Sequence, residues 1–340
     1  MLKFDTNIYG NPNNFPVSPD VEKRETLDNG FSAGWAMHFP PLEEYFTDMH
    51  CHLLQVKGEN YKDTFQKFQT IAETNRVAKQ VVVLHLGSEP FHADESLTID
   101  AYKPLFETIA NNKNIFAYLY LHYKNPNLSL LKACHQLGIK GVKLHNAPII
   151  EDAAPPEVYE SQEWQQCFAY MEANKLPVMW HVTQRFSAST YTGVGPMSYW
   201  TKGLQNGITY GNRELLAAFL KIVAQYKGIP FIAAHQLHMS FENLTALFDT
   251  YENLYSDTTV SCSIDTYDVV QEPYRRYYKE VFETYKDRLL FGTDNIMSKT
   301  SISYADDVYK SHIRFLKQLF LTQETLTKVA WQNAEKLFNL

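Results

Sequence analysis

Eight short apolar runs alternate with longer amphipathic stretches along this chain of 340 residues, and this alternation restricts the fold more than any other feature. Each run is continuously apolar, which is typical of parallel strands that are buried on both faces. The runs are Tyr45–Met49, Val81–Leu86, Ile115–Leu121, Ile139–Leu144, Pro177–Trp180, Pro230–Ala234, Asn253–Asp257 and Arg288–Phe291.

The stretches between the runs have the character of helices. Eight strands that alternate with helices predict an α/β fold, and a (β/α)₈ TIM barrel has this count and this length. An open, doubly wound sheet would give the same alternation, so periodicity alone leaves both architectures open. The helical stretches are Tyr61–Lys79, Thr98–Ala110, Leu128–Gln136, Glu157–Asn174, Asn212–Tyr226, Phe241–Tyr251 and Pro273–Tyr285.

The chain is interpreted as one domain, 1–340, although its length would also allow two. Residues 1–43 form an extension before the first strand, and residues 44–340 form the barrel with a C-terminal helix. A long segment after the fifth strand, 185–211, is rich in Ser, Thr, Tyr and Gly. Such segments are often lids or binding loops.

Composition and charge exclude several kinds of partner. The formal net charge is -7 and no basic stripe is present, so nucleic acid is not expected. No apolar run approaches the length of a membrane span, which argues against a membrane protein. The N-terminus has no signal-peptide pattern, and the four cysteines form no CxxC pair. These features favour a cytoplasmic protein with reduced thiols that acts on a small molecule.

The sharpest motif is Asp48-Met-His50-Cys-His52, at the end of the first run. Residues i and i+2 of a strand point to the same side, so His50 and His52 can present two imidazoles to one metal ion. An HxH pair alone is a weak signal, because a chain with twelve histidines produces such pairs by chance. The positions of other metal-competent residues therefore decide how much the motif means.

Three such residues each follow an apolar run: His181 the fifth, His235 the sixth and Asp294 the eighth. In a barrel the C-terminal ends of all strands meet at one face, where catalytic residues collect. Imidazole and carboxylate ligands suit zinc, and also manganese, iron or cobalt. Bound zinc lowers the pKa of a coordinated water to about 7, and Asp294 could receive the proton as a general base.

The ordered set of motifs resembles the amidohydrolase-related family, the branch of the amidohydrolase superfamily that includes aminocarboxymuconate-semialdehyde decarboxylase. The resemblance runs from about Glu44 to the C-terminus and includes a closing helix at Val329–Phe338. It implies a metal-dependent TIM barrel. The motifs that carry it are Asp48-Met-His50-Cys-His52, Gly141-Val-Lys143-Leu-His145, Leu176-Pro-Val-Met-Trp-His181, His235 and Phe291-Gly-Thr-Asp294.

The resemblance also implies a role for each of these residues. It assigns one divalent metal ion, zinc with manganese as the alternative, to His50, His52, His181 and Asp294. His235 would then polarise the water molecule or the substrate carbonyl.

Four further residues are weighed beside this set. Lys143 is interpreted as a cation that binds a substrate carboxylate or stabilises negative charge, although related binuclear enzymes carboxylate this lysine to bridge two metal ions. His145 shares a face with Lys143 and is a candidate for the pocket wall. Arg185 could hold an anionic substrate. His238 is interpreted as structural.

These residues favour a hydrolase that uses a metal-bound hydroxide on a lactone, an amide or a similar carbonyl, with Asp294, His235 and Lys143 as its catalytic groups. One alternative is a non-oxidative decarboxylase or hydratase, a lyase acting on a carboxylated aromatic or unsaturated acid. Another is a non-catalytic barrel that binds a metal or a ligand. Barrels of this kind often form homodimers, which is an analogy only.

Overall fold

A computed structural model describes residues 44–54, 61–85, 98–183, 199–259, 274–297 and 302–340. Each of the eight predicted apolar runs overlaps a strand. A ninth short strand follows the eighth. The strands are β1 Phe46–Leu54, β2 Val77–His85, β3 Ile115–Tyr120, β4 Gly141–His145, β5 Val178–His181, β6 Phe231–Ala233, β7 Leu254–Asp257, β8 Leu289–Leu290 and β9 Asn295–Met297.

Helices connect successive strands, as expected of parallel pairs, which need a long crossover. A 3₁₀ turn, Pro156–Glu160, precedes the fifth helix, and a π turn, Lys328–Gln332, joins the last two helices. The helices are α1 Tyr61–Thr74, α2 Ile99–Ala110, α3 Leu128–Gln136, α4 Ala147–Glu151, α5 Gln162–Ala173, α6 Tyr199–Gln205, α7 Asn212–Gln225, α8 Phe241–Thr250, α9 Tyr274–Thr284, α10 Ile302–Gln318, α11 Gln323–Thr327 and α12 Asn333–Phe338.

All pairs in the sheet are parallel, and the strand order follows the chain from β1 to β8, with β9 beside β1. A doubly wound sheet would reverse its order at a switch point, so that alternative is wrong. β8 and β9 lie in one short stretch, 289–297, which pairs with β7 through Leu289 and with β1 through Asn295. The sheet is therefore curled, and the stretch 289–297 pairs with β7 and with β1.

The sheet is buried on both faces, which explains why its strands read as continuous apolar runs. In β2, Val81 and Val83 belong to an inner cluster, whereas Val82 and Leu84 pack in the larger cluster between sheet and helices. Phe338 of α12 also packs in the inner cluster. The C-terminal helix therefore covers the inner cluster. The polar residues at the C-terminal ends of the strands lie away from this helix.

Strand β1 has an irregular pairing register at the HxH motif. Asp48 pairs with Gln80 but Cys51 pairs with Val82, so β1 carries one extra residue in this interval. Such bulges redirect side chains and are frequent beside active sites. In β1 the bulge lies at the first histidine of the HxH motif.

Some predicted boundaries were wrong. The first helix ends at Thr74 rather than Lys79, because Arg76 adopts a left-handed conformation with φ 62° and β2 begins at Val77. The predicted 185–211 segment contains α6 in its described part. Residues 1–43 and the rest of that segment lie outside the described residues. No helix in the described part of the chain is both long and apolar enough to span a bilayer.

Candidate metal centre

Two histidines and one aspartate bring their ligand atoms together where β1 meets the segment between β8 and β9. The Nε2 atoms of His50 and His52 lie 3.0 Å apart. Asp294 Oδ1 lies 2.8 Å from His52 Nε2 and 3.3 Å from His50 Nε2. Among the described residues, these three side chains form the group whose ligand atoms all lie within 4.8 Å of one another.

The pairing of β1 with the stretch 291–297 produces this convergence. Asp294 donates its backbone N–H to the carbonyl of His50 over 2.7 Å, and Met49 donates its N–H to Phe291 over 3.0 Å. Asp294 itself has φ 57°, a conformation that aspartate tolerates better than most residues. The loop after β8 thus turns the carboxylate back towards the two imidazoles.

The arrangement fits a divalent metal ion. With zinc–ligand bonds of about 2.0–2.1 Å in a tetrahedron, neighbouring ligand atoms lie roughly 3.3 Å apart, close to the separations found here. Two imidazole nitrogens and one carboxylate oxygen are donors that zinc and manganese accept. Both imidazoles are buried, and the Asp294 side chain is 31% exposed, so one side of the group remains open.

Asp257, at the end of β7, orients the first of these ligands. Its Oδ2 accepts a hydrogen bond of 2.6 Å from His50 Nδ1. Because an ionised carboxylate can only accept, the His50 proton lies on Nδ1 and the Nε2 lone pair faces Asp294 and His52. Burial alone would raise the pKa of Asp257, but the hydrogen bond from His50 holds it below its ordinary value.

Replacing Asp257 by asparagine should weaken zinc binding by about 10–100-fold, the usual effect of removing a group that orients a ligand. The amide can present its NH₂ group to His50 Nδ1 and so favour the wrong tautomer. Competition with a chelating indicator measures the affinity. Asp249→Asn, which changes a surface acceptor of the Tyr285 hydroxyl, is the control. Equal zinc affinity in the two variants would contradict the role given to Asp257.

The protonation states suit a metal ion. The pKa of His50 is lowered to about 3, first by burial and then by the nearby Lys143, and burial also lowers the pKa of His52. Burial would raise the pKa of Asp294, but His50 and His52 hold it well below its ordinary value. At neutral pH the group offers neutral imidazoles and an ionised carboxylate, the forms that bind metals.

Lys143 is fully buried on β4, and its Nζ lies 3.0 Å from His50 Nε2. Burial lowers its pKa to about 8, against the opposing attraction of Asp294 and Asp257. With this pKa an unmodified Lys143 is protonated at neutral pH, and it lies at the position that the Gly-Val-Lys-Leu-His motif indicated.

His145, two residues further along β4, has its Nδ1 occupied. The backbone N–H of Ala147 donates to this atom over 2.9 Å, and burial lowers the pKa of the ring well below its ordinary value. The neutral ring consequently carries its proton on Nε2. His145 is thus a hydrogen-bond donor beside His181, whose ring centroid lies 4.2 Å away, rather than a metal ligand.

His181 ends β5 outside the group of three. Its ring lies 4.5 Å from that of His235, and its Nε2 lies 3.4 Å from His238 Nε2. Its assignment as the fourth ligand remains a prediction. Arg185 lies outside the described residues, so its predicted contact with substrate remains a prediction as well.

His235 approaches the other oxygen of the shared carboxylate. Its Nε2 lies 3.6 Å from Asp294 Oδ2, on the opposite oxygen from His50 and His52. Thr259 Oγ1 lies 3.1 Å from His235 Nδ1, and Asp257 Oδ1 accepts the His235 backbone N–H over 2.9 Å. Asp294 is therefore placed between the predicted metal ligands and the predicted polarising histidine.

Asp48 has hydrogen bonds beside the site that were not foreseen from the sequence. Its Oδ1 accepts from the backbone N–H groups of His50 and Thr293, over 3.2 and 3.1 Å. Its Oδ2 accepts from Thr293 Oγ1 over 2.6 Å and from Cys51 Sγ over 2.8 Å. Burial raises its pKa to about 6. This carboxylate ties the HxH strand to the residue that precedes Asp294.

Comparison with solved structures shows the fold. A putative amidohydrolase from Staphylococcus aureus has a TM-score of 0.58 at 16% identity, with 87% of this chain and 100% of that chain covered. A zinc-bound amidohydrolase from Burkholderia multivorans has a TM-score of 0.56 at 10% identity, with 87% and 100% covered. The 2,6-dihydroxybenzoate decarboxylase from Rhizobium has a TM-score of 0.53 at 13% identity, with 87% and 99% covered.

Comparison by sequence is more specific about the family. A search of curated proteins found no significant match. The amidohydrolase family model, however, matches residues 47–340, which include the HxH motif, Lys143, His181, His235 and Asp294. That span is most of the chain and includes all of the sheet except the first residue of β1, and the chain therefore belongs to the amidohydrolase family.

Proposed function

We propose that this chain is a metal-dependent hydrolase that acts on the carbonyl of a small, anionic substrate such as a lactone or an amide. The observation that carries the proposal is the convergence of His50, His52 and Asp294 where β1 pairs with β9, with Lys143 beside them. In this proposal the curled sheet is a closed (β/α)₈ barrel, and these residues lie at its catalytic face.

The proposed metal is a single zinc ion, with manganese as the alternative. His50, His52 and Asp294 would hold it, with His181 as the fourth ligand. The zinc-bound relative of the same fold supports the choice of metal. When bound, such an ion supplies Lewis acidity and lowers the pKa of a water molecule to about 7.

The protein groups then have distinct tasks. Asp294 is ionised and has an oxygen near His235, so it can accept a proton from the attacking water and pass it on. His235 can donate a hydrogen bond to the carbonyl oxygen as negative charge develops there. Lys143 can bind the anionic group of the substrate.

Changing His235 to asparagine should leave zinc bound but lower kcat by about 10²-fold or more, because a donor to the developing charge is removed. Elemental analysis gives the zinc content, and steady-state assays on a panel of lactones and amides give kcat. His135→Asn, on α3 beside Tyr170, serves as the control. Loss of zinc from His235→Asn would make His235 a ligand instead.

A decarboxylase is the second candidate. It is favoured by one neighbour of the same fold, the 2,6-dihydroxybenzoate decarboxylase, and by the buried cation at Lys143, which suits a carboxylated substrate. The two reactions differ in their products: hydrolysis incorporates ¹⁸O from labelled water, whereas decarboxylation releases CO₂. Release of CO₂ from a carboxylated aromatic acid without ¹⁸O incorporation would replace the hydrolase proposal.

A further inference from the structure

The segment after β6 has an unusual backbone. His235, Gln236, Leu237 and His238 have φ values of 56°, 48°, 56° and 48°, so four successive residues are left-handed. None of them is glycine, although glycine is the residue that adopts this conformation without steric cost. The other left-handed non-glycine residues in the described ranges occur singly. This left-handed turn, 235–238, therefore needs a specific anchor.

Gln236 provides that anchor. Its side chain is fully buried, and its Nε2 donates to the backbone carbonyls of Asp257 and Thr259 over 2.6 and 2.9 Å. Asp257 is the last residue of the neighbouring strand β7, and Thr259 lies two residues beyond it. A further bond runs from the Thr183 hydroxyl to the carbonyl of Leu237. The side-chain amide thus fastens the middle of the turn to the sheet.

The turn determines where two imidazoles lie. His235 and His238 are three residues apart, and their rings stack with centroids 5.1 Å apart and planes at 15°. Both rings contact His181, with centroid distances of 4.5 and 5.4 Å. An extended chain after β6 would point these side chains in different directions. The left-handed turn therefore places the rings of His235 and His238 against the ring of His181.

We propose that Gln236 is a positioning residue for the metal centre, and that His238 belongs to this centre rather than to the structural core. The amide of Gln236 holds the turn that brings His235 and His238 against His181. The effect on metal and turnover rests on the proposed function, whereas the effect on the turn does not.

The test compares Gln236→Met, which keeps the size but removes both donors, with Asn253→Asp. Asn253 is a matched control, because its amide also donates to backbone carbonyls but does so ahead of β7, away from the centre. Thermal unfolding, zinc affinity by chelator competition and ¹H–¹⁵N spectra of the histidine rings are recorded for each. If Gln236→Met does not fold, Thr183→Val loosens the same turn more gently.

Both substitutions should lower the Tm. Only Gln236→Met should also weaken zinc binding, by about tenfold or more, and shift the ring signals of His235 and His238. Ring signals and zinc affinity that match those of Asn253→Asp would overturn the proposal. If the wild type binds no zinc, the proposed function fails, but the ring spectra still decide whether Gln236 holds the turn.

Discussion

Replacing Asp294 by asparagine should abolish zinc binding and lower activity by about 10³-fold or more. The metal's charge stabilisation is worth several kcal/mol, and each 1.36 kcal/mol corresponds to a factor of ten in rate. Asparagine keeps the size of the side chain but loses the negative charge. That charge faces His50 and His52 through one oxygen and His235 through the other. One substitution thus removes both a proposed ligand and the proposed proton acceptor.

The measurements are zinc per chain by elemental analysis and kcat/KM on the substrate found by screening. Asp287→Asn is the control, since Asp287 lies just before β8 but is exposed and pairs with Lys328. The control should keep both zinc and activity. An Asp294→Asn variant that retained full zinc occupancy would show that the group of three is not the metal site.

The strands could be predicted because burial on both faces leaves a simple signal. The apolar runs that contain Val81, Ile115 and Leu289 all overlap strands, and the metal-competent residues stand within three residues after the ends of such runs. The closing strand β9 could not be predicted. Its three residues, Asn295–Met297, are short and follow a polar loop, and they pair with β1 only because the sheet curls.

The helix boundaries were less predictable for a local reason. The amphipathic pattern of α1 continues without a break into Lys79, so periodicity gives no stop signal. The helix ends because Arg76 turns left-handed and Val77 begins pairing with Phe46 of β1. That pairing is a tertiary contact, and helix propensity, which is a local property of the sequence, cannot predict it.

Two carboxylates of the centre were missed because their partners are distant in sequence. Asp257 matters through His50, 207 residues away, and Asp48 through Thr293, 245 residues away. Asp257 is the last residue of a short apolar run, and this position was the available signal, since the ends of such runs had already indicated His181 and Asp294. The histidines next to Asp48 indicated metal binding, and nothing in the motif indicated that Asp48 would bind Thr293.

The left-handed turn was also outside the reach of sequence reasoning. Left-handed residues are normally recognised by glycine, and Gln236 and Leu237 give no such sign. A turn of this kind costs about 1–2 kcal/mol per residue, so it persists only because surrounding hydrogen bonds hold it. His238, three residues beyond His235, was interpreted as structural from the sequence, whereas in this turn its ring lies 5.4 Å from that of His181.

Replacing Lys143 by methionine should make the protein more stable and much less active. In the metal-free protein, burial lowers the lysine pKa from 10.5 to about 8. Since one pKa unit corresponds to about 1.4 kcal/mol, the buried cation costs about 2–4 kcal/mol at pH 7. Methionine has a similar length and no charge to bury, so the variant should unfold at a higher denaturant concentration.

The stability difference between the wild type and Lys143→Met should depend on pH. Below pH 8 the lysine is charged in both folded and unfolded chains, so the full cost is present. As the pH rises from about 8 towards 10.5, the folded chain loses its proton first and the wild type gains stability relative to the variant. The advantage of Lys143→Met should therefore shrink over this range. Lys140→Met, which removes an exposed ammonium just before β4, should show no such trend.

The loss of activity tests what the cation does. Removing a group that stabilises developing charge typically lowers kcat by about 10²–10³-fold, whereas loss of a substrate-binding cation alone raises KM. Carboxylation of Lys143 is the competing interpretation, in which a carbamate bridges two metal ions. Labelling with ¹³C-bicarbonate would then give a carbamate signal in the wild type, and elemental analysis would give two metals per chain, both lost in Lys143→Met. One metal per chain, retained in the variant, supports the cation.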